Sequence, residues 1–383
     1  MMLADLISKV GKAVRALATR RVLIECDRIP YRFDHVPLKK ILNWIRVEAS
    51  MGRKPGKPSG WPTHLQVEPT ALCNLRCALC HVTEGMDRPT GHMDIDVFKK
   101  LIDDIGNYVF LILLWDWGEP LLNPALCEMI AYARQRGIKV VTSTNGHLLA
   151  KDDNADRLIE SGLDSLIIAL DGIRQETYSR YRQGGDVETV LEGVRTIVER
   201  KRALGSETPL INLRFLVTTD NEHEIPELKK LAESLGVDAL SLKTINPHSD
   251  NLYTAEESSH DEDGTEFFPQ NVRYRRFDYA ADGRTRIRLA KNPCRNLWNA
   301  PAIHWNGVVC PCTYDYAEHF VLGDLREDSF RDIWTGDAYA NMRNQFRRDW
   351  EKLAMCCNCS FAFKGGSCID ESIAEVQFFE KRA

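Results

Sequence analysis

The sequence predicts an α/β fold, a partial (βα)6 TIM-like barrel with a small Cys-rich domain at its C-terminal side. Three observations carry the prediction. Six short apolar runs alternate with helical patterns between residues 64 and 245, three cysteines fall within eight residues just after the first run, and seven more fall between residues 294 and 368.

The runs are His64–Glu68, Phe110–Trp115, Lys139–Ser143, Ser165–Leu170, Ile211–Val217 and Ala239–Ile245. Each is followed by a loop and usually by a helix, such as Asp94–Ile105 or Pro226–Leu235. Repeated strand–helix units build a parallel sheet, open or curled into a partial barrel. In barrels of this kind chemistry collects at the C-terminal ends of the strands.

These units place the barrel at residues 61–246. Residues 1–60 read as a basic amphipathic helix followed by a linker. Leu3, Leu6, Ile7, Val10, Val14 and Leu17 follow helical spacing over residues 2–21, and Arg53–Gly60 is rich in Pro, Gly and Lys. That segment carries 13 Lys/Arg against 5 Asp/Glu, a net of +8, which leaves -13 on the remainder for the chain's -5. Residues 247–293 read as an irregular connection containing an acidic run, Glu256–Glu266, and the aromatic–basic stretch Tyr274-Arg275-Arg276-Phe277. Residues 294–383 form the Cys-rich domain.

Composition narrows the function. A chain of 383 residues with 44% hydrophobic content can bury a large core and a smaller second one. A net charge of -5 argues against a general nucleic-acid partner. No stretch reaches the roughly 18–20 apolar residues of a membrane span. Lys9, Lys12 and Arg15 interrupt any signal-peptide core. A cytoplasmic location follows, and there twelve cysteines point to metal rather than disulfides. The N-terminal helix reads first as packed on the barrel, and second as a weak peripheral membrane anchor.

Cys73, Cys77 and Cys80 form C-x3-C-x2-C at the end of the first strand. Three thiolates can wrap one face of a [4Fe–4S] cube and leave one iron open to a small molecule. A zinc knuckle with His81 as fourth ligand, or inert cysteines, are the competing readings. Farther on, Cys294, Gly307, Cys312 and the pair Cys356-x2-Cys359 supply four thiolates, enough to close every corner of a second cube. Cys310, Cys357 and Cys368 are then spare, and a structural zinc ribbon is the alternative for the module.

The phrase Glu68-Pro69-Thr70-Ala71-Leu72-Cys73-Asn74-Leu75-Arg76-Cys77-Ala78-Leu79-Cys80 resembles the opening of radical S-adenosylmethionine (radical SAM) enzymes. The likeness continues at Gly118-Glu119-Pro120 after the second strand, at Ser143-Thr144-Asn145-Gly146 after the third and at Asp171-Gly172 after the fourth, where Ala169 replaces the family's usual Ser. It implies that the open iron chelates SAM and that cleavage gives a 5′-deoxyadenosyl radical, which abstracts a substrate hydrogen. It also implies SAM contacts from Gly118, Glu119, Pro120, Ser143, Asn145 and Asp171, and an electron donor such as flavodoxin or ferredoxin.

The C-terminal module resembles SPASM/Twitch extensions, through Trp305–Cys312, Leu322-Gly323-Asp324-Leu325 and Asp332-Ile333-Trp334. With C-x2-C intact but not the longer SPASM spacing, the resemblance favours one auxiliary [4Fe–4S] cluster, similar to 2-deoxy-scyllo-inosamine dehydrogenase-type enzymes. Strand alternation turns Asn212 and Arg214, Ser241 and Lys243, and His64, Gln66 and Glu68 inward. An inward cation such as Arg214 could hold the SAM carboxylate or an anionic substrate group. Arg182, past the fourth strand, is another candidate for the SAM carboxylate. An ion pair of Glu68 with Arg214 or Lys243 is the competing role.

The expected activity is radical oxidation of a sugar, aminocyclitol or glycan-like substrate, with the auxiliary cluster taking the second electron. A peptide maturase or an epimerase is the alternative within the class. Outside it stands a non-enzymatic iron–sulfur or zinc scaffold protein.

Overall fold

The computed structural model describes residues 2–246, 264–365 and 372–380, with side chains from Ser8 onward. Cys368 and most of the acidic run Glu256–Glu266 lie outside the described residues. The six expected strands are β3 (His64–Val67), β4 (Leu111–Leu113), β5 (Lys139–Thr144), β6 (Ser165–Ala169), β7 (Leu210–Val217) and β8 (Ala239–Thr244). They pair in chain order, all parallel.

Helices cover the outer face. Two of them bracket the pattern: Ile95–Ile105 buries Phe98, Leu101, Ile102 and Ile105 at helical spacing, and Val187–Ala203 buries Val190, Val194, Ile197 and Val198. Asp94 caps the first by accepting from the Asp96 amide, and Asp186 caps the second through Thr189. Leu213, Phe215 and Val217 are buried in the same hydrophobic core as these helices, on the face that strand alternation predicts. Burial of each such side chain contributes about 1.5–3 kcal/mol.

The N-terminal 60 residues depart from the expected helix and linker. The helix is present at Met2–Thr19, but β1 (Val22–Cys26) and β2 (Ile29–Phe33) follow as an antiparallel hairpin, and Leu38–Met51 is a further helix. Val22, Ile24, Ile29, Tyr31 and Phe33 pack against Leu111, Leu113, Val141 and Ile167, the inward side chains of the barrel strands. The hairpin therefore plugs the barrel interior. Its turn residues Asp27 and Arg28 have φ of 53° and 60°, the left-handed pair that a two-residue hairpin turn needs. In the first helix Ala16 is buried, whereas Val10, Val14 and Leu17 are exposed, so this apolar stripe is not packed on the barrel.

The C-terminal module is built into the same sheet. β9 (Ala302–Ile303) adds parallel to β3, β10 (Val308–Cys310) and β11 (Gly323–Asp324) continue antiparallel, and β12 (Ile373–Phe378) covers the far edge at β8. Both open edges of the barrel are thereby paired.

Candidate active site and auxiliary metal centre

Cys73, Cys77 and Cys80 lie on the loop after β3, none in a disulfide. Neighbouring strand ends hold this loop by its backbone. The Arg76 and Ala78 amides donate to the Gln183 and Tyr181 carbonyls at 3.0 and 2.8 Å, and the Glu119 amide donates to the Leu72 carbonyl at 2.7 Å. Cys77 is buried, while Cys73 and Cys80 are half-buried. Burial pushes the Cys73 thiol up to about 11 and raises Cys80. A cation is what would draw these protons off. Three free thiols on one loop, with Cys80 lining a chamber, fit a three-ligand cluster with an open corner. His81 is turned elsewhere: its ring stacks on Tyr316 at 3.7 Å and Nδ1 meets Glu84 at 3.0 Å.

The strand-end motifs form a rigid frame around this loop. Gly118 sits at φ 98°, and a Cβ there would lie 2.4 Å from the Thr70 carbonyl oxygen, so the loop tolerates no side chain. Glu119 is buried and accepts three bonds, from the Asn145 amide (2.7 Å), Thr144 Oγ1 (2.8 Å) and the Leu121 amide (3.1 Å). Burial raises its pKa against the pull of those donors. Pro120 starts the short turn that follows. Asn145 donates from Nδ2 to Asn74 Oδ1 at 2.7 Å, tying the end of β5 to the cysteine loop. Ser143 lies two residues from inward-facing Val141, on the same side of β5.

Asp171 accepts from Arg182 Nε at 2.5 Å and from the Leu216 amide at 2.7 Å. Arg182 Nη1 also reaches Cys77 Sγ at 3.4 Å. Arg214 points inward from β7 and pairs with Asp27 at the hairpin tip. Its partner is not Glu68, which is instead clamped by Arg88 through two bonds of 2.6 and 2.9 Å.

These elements enclose a chamber of about 280 Å³ lined by Gln66, Cys80, Trp115, Asp116, Arg214 and Lys243, among others. A larger open groove of about 580 Å³ lies at the opposite, N-terminal ends of the strands, around Lys201 and Asp238, and holds no cysteine. Asp116 is the residue that sequence reasoning missed. Its Oδ1 accepts from Thr313, beside Cys312, while Oδ2 is buried without a hydrogen-bond partner among the described residues. Burial, then the Glu68 carboxylate, pushes its pKa up to about 7. Its only sequence signal is a charge between two tryptophans just before Gly118.

Cys294, Cys312, Cys356 and Cys359 line one small cavity with Tyr314, Phe346 and Phe361. Cys310 and Cys357 do not line it. Cys357 Sγ turns back to the Ala354 carbonyl at 3.0 Å, and Cys310 Sγ lies 3.9 Å from His304 Nδ1. Asn292 positions the set, accepting from the Cys294 amide at 2.9 Å and donating to the Cys356 carbonyl at 3.4 Å. Gly307, at φ 86°, makes the turn between β9 and β10. Burial pushes Cys359 up to about 12 and raises Cys294 and Cys356. Four thiols in an apolar pocket fit a closed cluster.

Two family models match the chain: the radical SAM superfamily over residues 67–232, and an iron–sulfur cluster-binding domain, SPASM, over residues 294–360. The first implies a [4Fe–4S] cluster and SAM, the second auxiliary iron–sulfur binding. The chain is 28% identical over 304 residues to the tungsten-containing aldehyde ferredoxin oxidoreductase cofactor-modifying protein of Pyrococcus furiosus, covering 73% of this chain and 83% of that one. It is 26% identical over 340 residues to the Fe-coproporphyrin III synthase of Methanosarcina barkeri, covering 76% and 81%. Among solved structures, SuiB of Streptococcus suis bound to S-adenosylmethionine shares the fold with a TM-score of 0.57 at 16% identity, covering 93% of this chain and 82% of that one. No helix among the described residues is long and apolar enough to cross a membrane.

Proposed function

Because the chain is a radical SAM enzyme with an SPASM iron–sulfur domain, we propose that it oxidises a hydroxyl-bearing substrate of the sugar, aminocyclitol or glycan class. When bound, the cluster on Cys73, Cys77 and Cys80 supplies with SAM a 5′-deoxyadenosyl radical, and one auxiliary cluster on Cys294, Cys312, Cys356 and Cys359 supplies an electron acceptor. Gly118, Glu119, Pro120, Ser143 and Asn145 frame the SAM site. Asp171 holds Arg182 against Cys77.

The observation that carries the oxidative reading is Asp116. It lines the chamber, its Oδ2 has no hydrogen-bond partner among the described residues, and its other oxygen is fixed by Thr313, the neighbour of Cys312. An alcohol oxidised at carbon must lose its hydroxyl proton as well as a hydrogen atom and an electron. Asp116 accepts that proton on the wall nearest the auxiliary cysteines. An external one-electron donor such as flavodoxin or ferredoxin completes the cycle.

The reading is tested by incubating anaerobically reconstituted protein with SAM, dithionite and fractions of extract from cells grown on deuterated carbon sources. It expects a fraction that transfers deuterium into 5′-deoxyadenosine and gains a carbonyl. Deuterium transfer into a product at the substrate's own oxidation level would instead indicate epimerisation or bond formation.

The exposed stripe of Val10, Val14 and Leu17 beside Lys9, Lys12 and Arg15 supports weak membrane-surface binding as part of this proposal. Val10→Glu with Val14→Glu should lower co-sedimentation with anionic liposomes. Equal sedimentation of the two proteins would remove the idea.

A further inference from the structure

The chamber is unevenly charged. Arg214 on β7, Lys243 on β8 and Arg276 on the connection all line it together with Cys80. Arg214 has a carboxylate partner, Asp27. Lys243 and Arg276 form no ion pair or side-chain hydrogen bond among the described residues. Arg276 is 7% exposed, and its Nε is buried with no partner among the described residues. Its guanidinium lies 5.9 Å from the centroid of the Phe277 ring.

Buried cations without counter-charges cost stability and are rarely kept for packing alone. Here burial, then Arg214 and Arg276, push Lys243 down to about 8, while Asp27 and Asp171 oppose the shift. Among the described lining residues the one other carboxylate, Asp116, can offset at most one of these two cations. At least one positive charge in excess therefore faces the reaction space.

We propose that Lys243 and Arg276 form an anion-binding subsite, so that the substrate carries a carboxylate or phosphate group. Resting on the radical SAM reading of the chamber, the inference adds a substrate class to it. Two cations from different elements can hold one anion from two sides through charge-assisted bonds. The anion would sit at the β7–β8 ends, with the rest of the substrate extending toward Cys80 and Asp116. A glycan-like substrate would then be an acidic sugar or a sugar phosphate.

The test is calorimetric titration of the anaerobically reconstituted full chain, saturated with SAM, with succinate in one arm and inorganic phosphate in the other. Saturable binding of at least one is expected, and the tighter arm identifies the chemistry. Arg276→Gln and Lys243→Gln should each weaken it about 10- to 100-fold, as loss of a charged hydrogen bond predicts. Arg276→Lys and Lys243→Arg should retain most of it, which separates charge from folding. Arg284→Gln, at an exposed position, should leave it unchanged. No saturable binding of either anion once SAM is bound would overturn the proposal and return these cations to the SAM carboxylate. Equal affinity in the Gln variants would also overturn it. Formation of 5′-deoxyadenosine by the wild-type protein, measured separately, reports on the radical SAM reading, so the two can fail independently.

Discussion

The two cysteine sets proposed as cluster ligands are built by opposite means. Cys73, Cys77 and Cys80 share one loop, sit half-buried or just beneath the surface, and border a chamber of about 280 Å³ with charged walls. Cys294, Cys312, Cys356 and Cys359 come from three separated segments and line a small apolar pocket. As proposed ligands of a four-iron cube, the first set is one short and borders the chamber, and the second supplies four in a small apolar pocket. Local chain geometry is enough to make the first, whereas the second exists only after β9 and β10 have joined β3.

The comparison is broken most severely by removing one thiol from each set. Cys77→Ala should reduce 5′-deoxyadenosine formation to background. Cys359→Ala should lose the auxiliary half of the iron and the oxidised product but keep SAM cleavage. Iron analysis and chromatography of the same samples check both, and loss of cleavage in the second variant would show that the sets are not independent.

Asp116→Asn comes next, with product formation falling about 10²–10⁴-fold as for loss of a general base. The pH dependence sharpens this. Because the Asp116 carboxyl is raised to about 7, it is protonated and unable to accept a proton below that pH. Wild-type product formation should therefore rise with pH through about 7, and the Asn variant should lack that limb. Glu68, Arg88 and His304 face Asp116 and set the position of the limb. A limb unchanged in the variant would assign it to His304, whose pKa is raised, burial notwithstanding, chiefly by its bond to Glu318.

A smaller effect is expected at the frame. Glu119→Gln turns one acceptor oxygen into a donor facing Thr144 or the Asn145 amide. It should cost about 1–3 kcal/mol, read as a roughly 5- to 150-fold weaker SAM affinity in equilibrium dialysis. Smallest of all, Cys357→Ala should leave iron content unchanged, because this thiol is turned to the Ala354 carbonyl. Loss of iron there would assign Cys357 to the auxiliary set.

The six barrel strands are legible because each lies in an apolar run between loops, and the longest, β7, also shows an apolar outer face in Leu213, Phe215 and Val217. The plug hairpin is not. Val22–Cys26 and Ile29–Phe33 alternate buried and exposed residues, but their turn is Asp27-Arg28, without the Gly or Asn that marks such a turn. Strands β9 and β11 are two residues long and show no period at all. The site divides in the same way. Motif residues such as Gly118 and Glu119 are recognised from neighbours in sequence. Asp116 acquires its role from Thr313, 197 residues away, and Arg214 finds its partner in a hairpin that sequence alone did not reveal.

The central claim is one open and one closed cluster on a single chain. It is tested most directly by measuring iron, zinc and 5′-deoxyadenosine on one preparation of the anaerobically reconstituted protein. Two cubes predict about eight iron atoms per chain with negligible zinc, together with dithionite-dependent 5′-deoxyadenosine from SAM. About four iron atoms, stoichiometric zinc, or no 5′-deoxyadenosine would contradict it.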